Sequence, residues 1–388
     1  MNSAAPAPVA FVYTPDFQRY VLRAGHPFDP VRVEATRALA AAIGLPGLVD
    51  IAPSPASWDE LRRAHSEGYL RALQAASQGK PVRRLQEDFG LGTADTPAFA
   101  GMFEASAITA GGTLSGAREI LSGRLGRAIN LAGGLHHAHR DRASGFCAVN
   151  DLSVAIREFT LAGWRVAYLD VDAHHGDGVQ WLHYDDPDVL TISLHETGRH
   201  LFPGTGFTYE LGRGRGIGTT LNAPLEPYTG DSSFLECLRR VLWPALEWFR
   251  PDVLLLQAGA DAHALDPLAD LGLSVQGFRA VFDLVVQAAD EYCGGRVLAT
   301  GGGGYATFSV VPRVWTQLLA ALSGSSEVGE VPAAWLETWG AKAGFPLPTS
   351  FSDDLAPVVR EREITDLNER TVTRLLHDWR VVTGQRGS

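Results

Sequence analysis

The chain has 388 residues, 45% hydrophobic and 20% charged, and a formal net charge of −11 at pH 7, a balance that disfavours nucleic acid or an anionic membrane surface as the main partner and favours cationic substrates such as basic peptides and amines. Its three cysteines, Cys147, Cys237 and Cys293, form no Cys-x-x-Cys pair and are odd in number, which argues against a disulfide framework or a thiolate metal cluster. The first residues lack the basic and apolar regions of a signal peptide, and no window holds about 18 uninterrupted apolar residues, so a cytoplasmic protein without a membrane segment is expected.

Residues 9–13 read as a first strand, and Asp29-Pro30-Val31-Arg32 opens a helix through the alanines to residue 43. The stretch 23–28 between them reads locally as a turn. A second strand at 48–51, helices after Ser57 and Ser66, and a long apolar helix over 97–121 follow. Asp95, two residues before Pro97, reads locally as a cap for that helix. Strands then take turns with helices: strand 127–131, helix 151–162, strands 164–169 and 189–194, helix 231–249, strand 252–257, helix 275–292, strand 296–299 and helix 308–322. That alternation predicts an α/β protein with a single doubly wound, mainly parallel sheet and helices on both faces. Residues 1–323 would form this domain. Residues 324–388, with Trp335, Trp339 and Pro346, match no catalytic motif and are expected to pack on it as an extension.

In open parallel sheets, ligands bind beyond the carboxyl ends of the strands, and four of these strands release unusual residues there. After strand 164–169, Asp170, Asp172 and His174 recur with period two, so their side chains leave on one side and one ion could meet both Asp172 and His174. Carboxylate and imidazole donors at about 2.0–2.2 Å suit zinc. A bland alternative is a polar strand-to-helix turn with capping aspartates; three aspartates and two histidines within residues 170–177 weigh against it. Strand 127–131 releases Gly133-Gly134-Leu135-His136-His137. Eight of the twelve histidines fall between His136 and His200, and a tandem pair at a strand end suits acid–base work near neutral pH. Strand 252–257 delivers Asp261, which can become a third metal ligand and leave an open position, as in catalytic sites. Strand 296–299 delivers Tyr305 after four glycines that lack the Gly-Lys-Ser/Thr ending of a phosphate loop. The alternating glycines of 212–218 read as a mobile connection.

Together, His136-His137, the run Asp170 to Gly178, Ile192-Ser193-Leu194-His195, Phe202-Pro203-Gly204-Thr205-Gly206, Gly259-Ala260-Asp261 and Gly301 to Tyr305 resemble the zinc-dependent histone deacetylase family over roughly residues 10–320. Gly25 to Arg32 and the carboxy-terminal segment are most similar to the bacterial acetoin-utilisation deacetylases. The resemblance implies the arginase/deacetylase fold, with Asp172, His174 and Asp261 as zinc ligands and His136 and His137 as the tandem pair. Asp170 would orient His136, Asp177 would orient His137, and Tyr305 would donate to the oxyanion. It further implies a substrate tunnel walled by Gly145, Phe146, Phe202 and Leu268, with Gly303 among the substrate-binding positions and Asp95 at the rim, holding backbone amides beside an acetyl-lysine. A structural potassium or sodium ion is implied at Asp170, Asp172, His174, Ser193 and Leu194. Leu135 stands where many relatives have an aromatic residue, and His263 occupies a position relevant to a second metal in arginases.

The expected activity is hydrolysis of N6-acetyl-lysine to lysine and acetate, with acetylated proteins or small acetylated amines as partners. Two carboxylates and one imidazole also accept iron(II) or cobalt(II) in place of zinc. The alternatives are an acetylpolyamine amidohydrolase, a non-catalytic acetyl-lysine binder, and a binuclear manganese ureohydrolase. The last needs a further carboxylate where Gly176 stands. Oligomeric state is left open.

Overall fold

In the computed structural model, which describes residues 7–326 and 328–385, eight strands form one sheet: β1 (Val9–Val12), β2 (Leu48–Ile51), β3 (Arg127–Asn130), β4 (Val166–Asp170), β5 (Val189–Glu196), β6 (Thr220–Leu225), β7 (Val253–Gln257) and β8 (Val297–Thr300). Their order is β2-β1-β3-β8-β7-β4-β5-β6 and every pairing is parallel. The strands are short apolar runs because both faces are covered. Along β4, Ala167 and Leu169 join the large cluster that includes helices Val31–Ile43, Asp231–Phe249, Val275–Tyr292 and Val311–Ser323. Val166 and Tyr168 point the other way, to helices Met102–Leu121 and Asp151–Leu161. The period-two alternation thus serves two cores rather than a core and a solvent face.

The register places the chemistry at one level. Asn130 of β3 pairs with Thr300 of β8, Thr300 with Gln257 of β7, and Gln257 with Asp170 of β4. These four strands are adjacent, so the loops that follow them leave the middle of the sheet side by side. That is the crevice in which open α/β sheets bind ligands.

Two elements differ from expectation. The apolar helix expected over 97–121 begins at Met102, behind Gly101 at φ 81°, and residues 97–101 are not helical. Pro97 fixes its own φ and restricts the residue before it, and the left-handed glycine sets the true start. Asp95 therefore caps no helix. β6 was not anticipated, because its sequence Thr-Leu-Asn-Ala-Pro-Leu carries Pro224. As the outermost strand it tolerates a proline, whose missing N–H breaks no ladder bond on its outer side.

The carboxy-terminal residues form helices Ala333–Ala343 and Glu361–Thr383. The second packs against β6 and helix Asp231–Phe249, so the exposed sheet edge is covered. Asn368, Val372, Leu375, Leu376 and Trp379 bury one stripe at helical spacing. Asn368 accepts from the amide of Glu226 at 2.9 Å, and the Trp379 indole donates to Gly218. Among the described residues no helix is long and apolar enough to cross a membrane.

Candidate active site

Asp172 and His174 follow β4, and Asp261 follows the neighbouring β7. Their ligand-type atoms lie within 4.8 Å of one another, and all three residues are buried. His174 Nδ1 is 2.8 Å from Asp261 Oδ2 and 3.2 Å from Asp172 Oδ1. The backbone holds the carboxylates in place: the amide of Ala173 donates to Asp261 Oδ1 at 2.9 Å, and that of Gly303 to Asp172 Oδ2 at 2.7 Å. Burial opposes the charged form of both carboxylates. Burial and the charge of Asp172 push the Asp261 carboxyl up to about 7. Burial also works against a charged His174, yet its bonds to Asp172 and Asp261 prevail and raise its pKa well above the usual range. Two buried carboxylates converging with one imidazole form a donor set that a divalent cation satisfies.

The tandem histidines, released by β3, face this cluster with distinct partners. His136 Nδ1 is 2.8 Å from Asp170 Oδ2, while His137 Nδ1 is 2.7 Å from Asp177 Oδ1. Asp177 opens the helix Asp177–His183, and its second oxygen meets His139 Nε2 at 3.0 Å. The free edges of the pair meet, with the two Nε2 atoms 3.1 Å apart. Burial disfavours charge on both rings, but the carboxylates of Asp170 and Asp172 lift His136 to about 9. Burial and the charge of His136 lower His137 to about 4. One imidazolium thus stands beside one neutral imidazole.

A cavity of about 230 Å³ opens onto these groups, lined by Asp95, His137, Gly145, Phe146, His174, Leu201, Phe202, Leu268 and Tyr305. Phe146 reaches it from a two-residue turn between Ser144 and Cys147, in which Gly145 has φ 50° and Phe146 φ 70°. Such a turn needs positive φ at both central positions, a strained conformation for phenylalanine. A Cβ on Gly145 would lie 2.4 Å from the His137 ring, so only glycine fits. The rings of Phe202 and His137 lie 5.0 Å apart, and Tyr305 stands edge-on to Phe146 at 5.8 Å and to His174 at 6.4 Å. Asp95 is exposed at the mouth.

Gly303 is not among the residues that line this cavity. A Cβ there would come within 2.0 Å of Asp261 Oδ2, so the glycine packs against the buried carboxylates and gives its amide to Asp172. Asp170 and Ser193 are register partners on β4 and β5, and the Ser193 hydroxyl meets His195 Nδ1 at 2.7 Å. His263 points away from the carboxylate cluster, its Nε2 2.9 Å from Asp353 Oδ2.

Several contributors carried little or no signal in the sequence. Gln257, a polar end to an apolar strand, donates to Asp172 Oδ2 at 2.7 Å. Tyr168 donates to Asp170. Asp266 accepts from the amides of Tyr305 at 2.7 Å and Leu268 at 3.0 Å, tying two cavity walls together. Arg32 is buried between Phe28 and Trp315 and donates to the carbonyl of Gly304 at 2.8 Å. Gln257 had a readable cue, and Tyr168 stands two residues before Asp170 on the same side of its strand, whereas Asp266 and Arg32 act on Tyr305 and Gly304, far along the chain.

Comparison with known proteins gives this arrangement its place. Residues 26–322 match the histone deacetylase domain. The acetoin utilization protein AcuC of Bacillus subtilis is 44% identical over 372 residues, covering 95% of this chain and 96% of that protein, and AcuC of Staphylococcus xylosus is 38% identical over 372 residues, covering 94% and 97%. Two solved structures superpose with a TM-score of 0.83 over 94% of this chain and 100% of theirs: an HDAC homolog complexed with SAHA, 31% identical, and the HDAC homolog of Aquifex aeolicus, 30% identical. With a matching domain over most of its length, relatives along nearly all of it and one parallel sheet in common with solved homologs, the chain belongs to the histone deacetylase family and is an AcuC-like hydrolase of that type.

Proposed function

We propose that the chain is a zinc-dependent lysine deacetylase of the acetoin-utilisation type, hydrolysing N6-acetyl-lysine in proteins to lysine and acetate. The observation that carries the reading is the narrow cavity, with apolar Phe146, Phe202 and Leu268 along it, His137, His174 and Tyr305 at its inner end and Asp95 exposed at its mouth. An alkyl chain bearing a terminal amide matches that order of surfaces, and a carboxylate at the rim suits the backbone amides of a peptide.

Asp172, His174 and Asp261 would hold the metal. Zinc is the first choice for this donor set, and iron(II) and cobalt(II) are also accepted. When bound, the ion supplies a Lewis acid to the acetyl carbonyl and lowers the pKa of a water towards about 7. The protein's own groups do the rest. His137, its Nδ1 engaged by Asp177, has Nε2 as the basic nitrogen that takes the water's proton and returns it to the leaving amine once its 3.1 Å contact with His136 Nε2 gives way. His136, held by Asp170, carries its charge as electrostatic support for the transition state. Tyr305 donates its phenol to the developing oxyanion, and Phe146 and Phe202 exclude bulk water from the acyl chain.

A potassium or sodium ion at Asp170, Asp172, His174, Ser193 and Leu194 would be structural. Residues 1–323 would form the catalytic domain with 324–388 packed on it, and the enzyme would act in the cytoplasm. The test is a comparison of zinc-loaded enzyme on an acetyl-lysine peptide and on acetylputrescine. Higher kcat/KM for the peptide is expected, and a large preference for the acetylpolyamine would replace this reading with the amidohydrolase alternative.

A further inference from the structure

The carboxylate of Asp353, in the carboxy-terminal segment, bonds to residues beside both segments that carry the candidate site, the stretch after Asp261 and the helix after Tyr305. Its Oδ2 accepts from His263 Nε2 at 2.9 Å and from the amide of Val275 at 2.8 Å, while its Oδ1 accepts from Arg313 Nη1 at 2.7 Å. The backbone of Asp353 is itself clasped by Gln276, whose amide group exchanges two hydrogen bonds of 2.9 Å with it. His263 lies in the stretch 261–268, which carries Asp261, Asp266 and Leu268. Its Nδ1 accepts from the amide of Leu265 at 3.1 Å, so Nε2 carries a proton and aims it at Asp353. Arg313 lies near the start of helix Val311–Ser323, which follows the glycine run and Tyr305.

Both partners are sealed from water, His263 at 0% and Arg313 at 1% side-chain exposure. Arg313 cannot shed its proton, so the buried guanidinium requires a carboxylate, and Asp353 is its ion-pair partner. On the cavity side, Asp266 already joins the same two segments through the amide of Tyr305. One stretch bears a metal-ligand carboxylate and a tunnel wall; the other bears the phenol. Their separation is fixed by Asp266 in front and by Asp353 behind.

We infer that Asp353 is a positioning residue of the active site: by holding His263 and Arg313 on one carboxylate, the carboxy-terminal segment sets the placement of Asp261, Leu268 and Tyr305. This rests on the proposed roles of Asp261 and Tyr305. The competing account is that Asp353 only fastens the carboxy-terminal segment to the sheet domain, and Asn368 separates the two. It anchors the same segment through Glu226, Thr229 and Ser233, and none of its bonds reaches residues 261–268.

Full-length parent, Asp353→Asn and Asn368→Ala are compared by thermal melting, by Zn²⁺ affinity against a competing chelator, and by kcat and KM on an acetyl-lysine peptide at a temperature where all three are folded. Asp353→Asn is expected to weaken Zn²⁺ binding several-fold and to lower kcat about tenfold, at the lower end of the roughly 10- to 100-fold range for direct partners of metal ligands because Asp353 acts one residue further out, with a smaller change in KM. Asn368→Ala should lower the melting temperature and leave affinity and kcat near the parent's. Should Asp353→Asn prove too unstable to purify, His263→Gln, which alters the same link from its other end, is held to the same outcomes. Parental affinity and kcat in Asp353→Asn, or the same losses in Asn368→Ala, would overturn the inference alone. A parent that fails to bind Zn²⁺ overturns the deacetylase reading and this inference with it.

Discussion

The hydroxyl of Tyr20 donates to the carbonyl of Phe146 at 2.8 Å, a contact between residues 126 positions apart, and accepts from the amide of Ala148 at 3.0 Å. It thereby clamps the far side of the turn in which Gly145 and Phe146 hold positive φ. A turn strained by that backbone stays in place only where its surroundings over-determine it. Removing the hydroxyl leaves a half-buried carbonyl and a buried amide without that partner, at a cost of about 1–3 kcal/mol. Tyr20→Phe is therefore expected to raise KM for an acetyl-lysine peptide about three- to tenfold while kcat changes little, since Phe146 walls the cavity and takes no part in proton transfer. Steady-state kinetics check this; an unchanged KM would show that the turn holds itself.

Tyr305 faces His174 and Phe146 across the cavity, and its proposed role as oxyanion donor predicts a specific pattern of loss. Tyr305→Phe should bind metal as the parent does and lose about 10²–10³-fold in kcat, the usual effect of removing one oxyanion donor. Undiminished turnover would remove Tyr305 from the mechanism. A parent that binds acetyl-lysine without turnover would favour the non-catalytic binder.

Metal removal bears on the buried Asp172, His174 and Asp261. Chelation should abolish turnover, and one equivalent of divalent ion per chain should restore it, with zinc, iron(II) and cobalt(II) compared in turn. Two bound transition ions per chain by elemental analysis would contradict a single three-ligand site. His263 is unsuited to a second ion, because its Nε2 is engaged by Asp353.

A pH dependence of stability follows from His65, which is distant in sequence from every motif. Its Nδ1 bonds the carbonyl of His139 at 2.9 Å, and its Nε2 accepts from the amide of Asn150 at 2.9 Å, so the ring is held neutral with its proton on Nδ1. Burial lowers its pKa to about 4 from an ordinary 6.5. The unfolded chain therefore binds the proton more readily, so the stabilisation is complete above about pH 6.5 and is lost as the pH falls towards 4, on the order of 3 kcal/mol in all. Urea unfolding at pH 7.5, 6 and 5 should show falling midpoints, and His65→Gln should flatten part of that slope. A parent whose midpoint is the same at pH 7.5 and pH 5 would refute the assignment.

The sequence exposes some of these features and hides others for physical reasons. The central strands were readable because burial on both faces demands unbroken apolar runs such as Val253–Gln257, and the residues released at their ends stood out against them. Asp172, His174 and Asp261 were legible for the same reason. β6 was hidden by Pro224, an edge-strand residue that reads as a breaker when position in the sheet is unknown. The start of the helix at Met102 was masked by the apolar residues around Pro97. The carboxy-terminal helix Glu361–Thr383 had a readable stripe in Val372, Leu375, Leu376 and Trp379, diluted by charged neighbours. Tyr20, Asp266 and Asp353 act through partners far along the chain, and no local pattern announces such contacts.

The choice between protein and polyamine substrates turns on Asp95. With the neighbouring helix beginning at Met102, its carboxylate is exposed at the cavity mouth and is no helix cap. If it grips the backbone N–H groups beside an acetyl-lysine, charge-assisted hydrogen bonds worth about 1.5–3 kcal/mol depend on it, and only for substrates that carry such amides. Acetylputrescine carries none. Asp95→Ala should therefore lower kcat/KM for an acetyl-lysine peptide about 10- to 150-fold, the equivalent of that energy at 1.4 kcal/mol per tenfold, and leave hydrolysis of acetylputrescine nearly unchanged. Equal losses on both substrates would mean that the loop around residues 90–101 has collapsed and that Asp95 supports the cavity rather than the peptide.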